Sequence, residues 1–330
     1  MTVKDQVLAE LTAAQGASVS GQALAHRLGV SRAAVWKAIQ TLRAEGCPIE
    51  AATNRGYALP ISADLLTEAA IRAALPPDLP LALRVEDSLP GTNAALRRMA
   101  EQGAPEGTVL VARSQTAGRG RSGRVFYSPE GSGVYLSVLL RPRMSAAQSP
   151  LLTAMAAVAA ARAAEEISGQ EIRIKWVNDL WWQGKKVCGI LTEAALDLES
   201  GGLQYVVLGP GFNLTVPDGG WPEELRGIAG ALFDNTPPPG TRARLAAAFL
   251  RQFFALYADQ NPASFLSEYR RRQLLLGQMV EIQMPGHPPQ NARALDIDEE
   301  ARLVVRLEDG RIQALSAGEV RAKPLPCQEC

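Results

Sequence analysis

Between Gly118 and Arg124 the chain reads GRGRSGR, three glycines and three arginines with no acidic residue among them. Glycine lets a backbone approach a ligand closely, and guanidinium groups offer paired N–H donors to phosphate or carboxylate oxygens. Arg119, Arg121 and Arg124 in one loop therefore suit a reaction that brings two anions to bonding distance, such as joining a carboxylate to a nucleotide phosphate. A unit charge pair interacts by about 4 kcal/mol at about 4 Å and an effective dielectric of about 20. Two or three arginines are a sensible answer to repulsion of that size.

Two familiar glycine patterns fit the letters but not the context. Gly118-x-Gly120-x-x-Gly123 matches a dinucleotide fingerprint and, with Val125, a kinase glycine loop. A dinucleotide fingerprint opens a helix, whereas β-type sequence follows here. The chain contains neither H-R-D nor D-F-G. A P-loop fails as well, because Gly123 is followed by Arg124-Val125 rather than Gly-Lys-Ser/Thr.

Further charged and polar groups follow. EIRIKWVNDLWWQGKKVCGILTE alternates as two strands joined at Gln183-Gly184, with Lys175, Asn178, Asp179 and Lys186 near strand ends. Asp179 could hold Mg²⁺ on phosphates and Lys186 could meet a carboxylate or phosphate oxygen. Lys185 reads as solvated. YVVLGPGFNL is an apolar strand ending in Gly209-x-Gly211-x-Asn213, a second point of close backbone approach. TVLVARSQTA and GVYLSVLLRP read as strands on either side of the basic loop.

The elements ahead of these are of another kind. Val3, Val7, Leu8 and Leu11 have amphipathic-helix spacing. Ser20 can cap a second helix, Gly29 can turn the chain, and Ser31 can cap a third. In that third helix Val35, Ile39 and Leu42 face one side, and Ala33, Trp36, Lys37 and Gln40 the other, with Arg32 and Arg43 flanking. This is the layout of a helix-turn-helix DNA reader. CPIEAATNRGYALP reads as the hairpin wing, with Arg55 at its tip. Residues 1–62 hold six basic and four acidic residues, a net of only +2, so tight DNA binding should need two copies.

The 330 residues allow two or three domains, and Lys+Arg equals Asp+Glu at 34 each, so no global field draws the chain to nucleic acid or membrane. The start lacks an apolar signal core. The longest apolar run, LLTAMAAVAAARAA, is broken by Arg162 and falls short of the roughly 20 residues a bilayer needs. The expectation is a cytoplasmic protein that does not cross a membrane. His26 and His287 are the only histidines, which argues against a His-based triad. Cys327 and Cys330 form CQEC, which lacks the other ligands of a zinc site.

Together these residues resemble the bifunctional biotin–protein ligase and biotin-operon repressor family, the BirA type. The matching pieces are SGQALAHRLGVSRAAVWKAIQTLRAEG with RGYALP, then GTN at Gly91–Asn93, GRGRSGR, KWVNDL, GKKVCGILTE and GPGFN. They stand in the family's order over nearly all of residues 5–325. Two departures are DSLPGTN where D-S-T-N is common, putting Gly91 in the place of Ser88, and Val177 where proline is usual.

The resemblance implies that biotin and MgATP form biotinyl-5′-adenylate. A lysine of the biotin carboxyl carrier protein of acetyl-CoA carboxylase then takes the biotin. By family role Gly91, Thr92, Asn93 and Gln115 line the biotin pocket, with Arg119, Gly120 and Arg121 closing over biotin and the adenylate phosphate. Lys186 contacts the reacting oxygens. Gly118, Arg121, Arg124, Lys175, Asn178, Asp179 and Asn213 lie on the nucleotide side, Phe126 near the adenine, and Asp179 at the metal. Arg119, Arg121 and Lys186 are the catalytic candidates. DNA contacts fall to Ser31, Arg32, Ala33, Trp36, Lys37, Gln40 and Arg55, with operator DNA bound by a homodimer that forms on biotinyl-AMP.

The expected fold class is α+β with three domains. Residues 1–62 form a winged helix-turn-helix. Residues 63–272 form a mixed-sheet α/β ligase domain of class II synthetase type, with helices at Thr92–Gly103, Ser149–Ser168 and Arg242–Asp259. Residues 273–330 form an SH3-like barrel, with strands in QMVEIQM, ARLVVRL and IQALSAGEV and a turn at Asp309-Gly310. The alternatives are a ligase with an idle winged helix, a pure repressor that senses the adenylate, and a lipoate-type ligase of the same fold.

Overall fold

A computed structural model describes residues 2–324 except 15, 45–46, 53–54, 61–65, 198–201, 260, 262, 285–287 and 317–320. The expected boundary at residue 62, His287 and the CQEC segment lie outside the described residues.

Helix α1 (Val3–Ala13) starts in a capping box: Thr2 Oγ1 accepts the Asp5 N–H, and Asp5 accepts the Thr2 N–H. Ser20 Oγ takes the Ala23 N–H to start α2 (Gly21–Leu28), which stops at Gly29 with φ 64°. Ser31 Oγ takes the Ala34 N–H at the start of α3 (Arg32–Ala44). The expected inner face holds, since Val35, Ile39 and Leu42 are fully buried. Strands β1 (Glu50–Ala52) and β2 (Gly56–Ala58) make the wing. Val19 pairs with Tyr57 as a third rung. A helix not anticipated, α4 (Glu68–Ala74), packs against both α1 and a catalytic-domain helix, α7 below.

Strands β3 (Ala82–Leu89) and β4 (Thr108–Gln115) run parallel, with α5 (Thr92–Glu101) as the crossover. Then come β5 (Gly133–Leu140), α6 (Ser149–Ser168), β6 (Arg173–Lys175), β7 (Asp179–Trp182), β8 (Lys185–Leu196) and β9 (Leu203–Asn213). Helices α7 (Thr241–Asp259) and α8 (Ala263–Arg271) complete this part. The central sheet has the order β3-β4-β5-β9-β8-β7-β6, antiparallel except for β3 with β4.

Where two strands were expected in EIRIKWVNDLWWQGKKVCGILTE there are three. The turn at Gln183-Gly184 is as read, with φ 46° and 72°, but residues 176–178 form another. The Trp176–Val177 peptide is cis.

Apolar α6 and α7 pack together over one face of the sheet. Arg162, the residue that interrupts the apolar run, reaches Glu268 on α8 at 2.6 Å. Among the described residues no helix is long and apolar enough to cross a membrane. The opposite face is only half covered. There α5 lies on Leu110, Leu139, Tyr205 and Val207, and beyond its N-terminus the sheet is open to the basic loop.

Strands β10 (Met279–Gln283), β11 (Gln290–Ile297), β12 (Leu303–Leu307), β13 (Ile312–Leu315) and β14 (Arg321–Pro324) form an antiparallel sheet in the order β13-β12-β11-β10-β14. Gly310 turns the β12–β13 hairpin at φ 86°. Strand β11 was not anticipated, because QNARALDI holds a single β-branched residue, Ile297, where a strand is usually marked by several. Tertiary burial of Ala292, Ala294 and Ile297 holds it in place. The Trp176 indole N–H donates to Ala301 O at 3.1 Å, tying this sheet to the turn before β7.

Candidate active site

The open half of the sheet is floored by glycine. Gly189 on β8 pairs with Gly211 on β9, and Gly209 pairs with Leu191. Each of these glycines sits under a side chain. A Cβ at Gly211 would stand 2.6 Å from the Phe126 ring, one at Gly189 2.9 Å from Lys186 Nζ, and one at Gly209 2.0 Å from Asn93 Oδ1. Three elements can therefore lay functional side chains directly on the backbone. Glycine in a strand interior costs stability and commonly marks such close approach.

The basic loop leaves β4 at Gln115 and folds back on itself. Phe126 N–H donates to Gly118 O at 2.9 Å and Gly120 N–H to Arg124 O at 2.7 Å. A Cβ at Gly118 would meet Phe126 O at 2.4 Å, so only glycine fits there. The fold-back drops Phe126 onto the floor, edge-on to Tyr135 with centroids 6.4 Å apart. Burial pushes the Tyr135 hydroxyl up to about 12. Arg119 and Arg124 are exposed, whereas Arg121 is half-buried and donates to Asn178 Oδ1 at 3.3 Å.

The Asn178 amide is fixed by its other end, where Nδ2 donates to Ile190 O at 2.7 Å. Lys186 Nζ lies 2.6 Å from Asp179 Oδ1, both side chains about three-quarters covered. The Lys186 backbone is clamped by Ile228 O and the Gly230 N–H, each at 2.8 Å. Asn213 Nδ2 donates to Lys186 O at 3.4 Å. Lys175, paired in register with Asp179, holds its Nζ 4.9 Å from the Trp181 ring centroid. Lys185 is exposed and turns to Arg226 O.

On the other side, Gln115 Oε1 accepts the Thr92 N–H at 2.9 Å, and Gln115 Nε2 donates to Ser128 Oγ at 2.9 Å. Gly91 is the residue before α5, with extended backbone. Asn93 differs from the expectation for a pocket-lining group. It is 9 % exposed, and its amide hydrogens go to Leu191 O at 3.2 Å and Glu193 Oε2 at 2.9 Å. Ser128, Ser137 and Glu193 were missed. Ser137, the lone polar residue in GVYLSVLL, was the readable signal.

In the N-terminal module Ser31 at the cap of α3 and Arg32, Ala33, Trp36 and Lys37 on it are exposed, Gln40 is half-buried, and Arg55 is exposed at the wing. Trp36 is 58 % exposed, a large apolar surface on the face expected to meet DNA. The rest of the turn, Thr53 and Asn54, lies outside the described residues.

A helix-turn-helix module joined to a half-open mixed sheet with a folded-back basic loop defines a protein of the cofactor-ligase class with a DNA-reading attachment. Family models agree with that reading. Residues 86–213 match the biotin/lipoate A/B protein ligase family, residues 3–58 an HTH domain, and residues 275–321 the biotin protein ligase C-terminal domain. The bifunctional ligase/repressor BirA of Bacillus subtilis is 38% identical over 259 residues, covering 78% of this chain and 79% of that protein. Its Escherichia coli counterpart is 31% identical, covering 93% and 94%. A solved biotin protein ligase from Aquifex aeolicus, in complex with biotin and ATP, aligns at TM-score 0.61 and 26% identity, covering 74% of this chain and 99% of that one. The chain belongs to the bifunctional biotin ligase/repressor family.

Proposed function

We propose that this protein joins biotin to ATP in the space above the glycine floor and transfers it to a lysine of the biotin carboxyl carrier protein of acetyl-CoA carboxylase. The observation that carries the reading is the Arg121–Asn178 hydrogen bond, which draws the basic loop over the Lys186 end of the sheet. In the first step a biotin carboxylate oxygen attacks the α-phosphorus of ATP, and the bond to the bridging oxygen of pyrophosphate breaks. Arg121 and Lys186 face the charge that collects on the phosphate oxygens, and Arg119 and Gly120 cover the biotin side. In the second step a lysine amine attacks the adenylate carbonyl, AMP leaves, and the amine loses a proton. No covalent link to the enzyme is needed, so catalysis is positioning plus charge stabilisation.

Thr92 and Gln115 serve the biotin head, with Gly91 at the entry to α5. Gly118, Phe126, Arg124, Lys175, Asn178 and Asn213 serve the nucleotide. Mg²⁺ commonly takes one or two carboxylates plus substrate phosphates. Asp179 supplies one carboxylate, so the residues fit an ion carried in on ATP, and that ion neutralises phosphate charge. Asp179 would hold that ion, and Lys186 would face the reacting oxygens.

The protein is also a repressor by family. The proposal here is that biotinyl-AMP promotes a homodimer that presents two α3 helices, through Ser31, Arg32, Ala33, Trp36, Lys37 and Gln40, with Arg55 at each wing, to an inverted-repeat operator. The modest net charge of one module supports the need for two copies. We place the domains at 1–62, 63–272 and 273–330 and the protein in the cytoplasm. The test is biotin-dependent ATP–pyrophosphate exchange and labelling of a carrier domain, with sedimentation and operator binding with and without biotin plus ATP. Exchange driven by lipoate instead of biotin, or a ligand-saturated monomer, would overturn the corresponding part.

A further inference from the structure

Helix α3 carries three basic residues, Arg32, Lys37 and Arg43, and no acidic one. Its inner stripe of Val35, Ala38, Ile39 and Leu42 is buried in the core of the module. Trp36 lies one position past Val35, about 100° further round the helix, and is 58 % exposed. Among the described residues of this module it is the one large apolar side chain left exposed. A single exposed apolar side chain is ordinary on a protein surface. Its setting is not ordinary here: Arg32 and Ala33 in the turn before it and Lys37 beside it are all exposed, so the indole stands in a basic ridge.

That setting selects the occupant. An apolar protein surface would have to strip water from the flanking cations, whereas a nucleic-acid duplex brings phosphates to Arg32 and Lys37. Phosphate contacts fix position but carry no sequence information. In the major groove the base edges present hydrogen-bond donors and acceptors and one apolar group, the C5 methyl of thymine. The first residues of a recognition helix are the ones that meet base edges. Helix side chains lean toward the helix start, which directs the Trp36 ring over the turn of Arg32 and Ala33. Ala33 carries only a methyl group, so it leaves the ring a clear approach and adds apolar surface of its own.

We infer that Trp36 is a specificity-determining residue, which reads thymine in the operator half-site through its C5 methyl group. The inference deepens the DNA-reading part of the proposed function and rests on it. Two copies of α3 use the contact twice, since each half-site of an inverted repeat offers its own thymine.

The test begins with the full chain, biotin and ATP, selecting from a pool of random DNA duplexes. Each thymine of one selected half-site is then replaced in turn by deoxyuridine, which lacks only the methyl group. At one or two positions the wild-type affinity should fall about fourfold, the equivalent of about 0.8 kcal/mol for one methyl-sized apolar group. Trp36→Ala should bind the thymine and deoxyuridine duplexes equally at those positions, and Trp36→Phe should keep part of the difference. Both variants should melt at the wild-type temperature, because the ring is exposed. Wild-type binding that is indifferent to deoxyuridine at every position overturns the inference. So does a Trp36→Ala loss that is equal across all sequences, the mark of a contact to the DNA backbone. A change in the sedimentation of Trp36→Ala with biotin and ATP but no DNA marks a protein contact and overturns it too. A wild-type protein that selects no sequence at all overturns the DNA-reading proposal itself, which is a separate outcome.

Discussion

Replacing Gly211 with alanine tests whether the glycine floor sets the position of Phe126. The added methyl would stand 2.6 Å from Cε1 and 2.8 Å from Cζ of Phe126. Non-bonded carbons prefer about 3.5–4.0 Å, so one partner must withdraw by roughly 1 Å. Strand β9 cannot yield cheaply, because Gly211 is paired with Tyr135 on β5 and Gly189 on β8. The Phe126 backbone is also tied, through its N–H to Gly118 O at 2.9 Å. The ring is what moves, tipping off the floor toward solvent. A misplacement of about 1 Å in a positioning group can cost about 10²-fold in rate, close to 2.7 kcal/mol of barrier. In biotin-dependent ATP–pyrophosphate exchange, kcat/KM for ATP should fall about a hundredfold. The melting temperature should change little, because the ring is only half-buried. Phe126→Ala should lose a similar amount, and the double variant little more, since both act on one group. A folded Gly211→Ala enzyme with wild-type kcat/KM for ATP would refute the reasoning.

Arg121→Ala should weaken retention of the adenylate by roughly 2–4 kcal/mol, through one or two lost charge-assisted hydrogen bonds, read as faster dissociation after rapid dilution. Lys186→Met keeps side-chain length and removes charge, so adenylate formation should slow at least about tenfold, or about 1.4 kcal/mol; full activity would move the role to Lys185 or Lys175. Arg272 is buried between Glu165 at 2.5 Å and Glu268 at 2.7 Å, and Arg272→Met should cost about 3 kcal/mol in urea unfolding by leaving two carboxylates facing each other. For both glutamates burial pushes the carboxyl up, but the arginine hydrogen bonds, from Arg272 and for Glu268 also Arg162, more than offset it, so both sit below the ordinary value of 4.5. With folded values depressed, the stability they add is complete above 4.5 and is lost as pH falls through the folded values. Stability of the parent protein should therefore drop below about pH 4.5, and the variant should show a smaller drop there.

Much of this protein was legible in residue types and spacing because the signals are local. Ser20, Gly29 and Ser31 each act on backbone within a few residues, so the helix-turn-helix needed no tertiary information. The same holds for the turns at Gln183-Gly184 and Asp309-Gly310. The basic loop and KWVNDL were legible as chemistry, because three arginines without acids have few other uses.

The tertiary structure alone decided which residues share a surface. Asn93 and Glu193 are 100 apart in sequence, and nothing local reveals that the Asn93 donors are spent on β8 rather than on a ligand. The glycines at 189, 209 and 211 could be seen as close-approach points, but not what approaches them. Phe126, Lys186 and Asn93 arrive there from a loop, a strand end and a helix start. Strand β11 was invisible for the related reason that its own sequence is a weak former held by burial against distant partners, whereas α4, EAAIRAA behind the Thr67 cap, is built of good helix formers. Local chemistry specified the turns, caps and charges, and strand order decided which of them meet, because pairing β8 with β9 puts two glycines side by side only once both strands are in register.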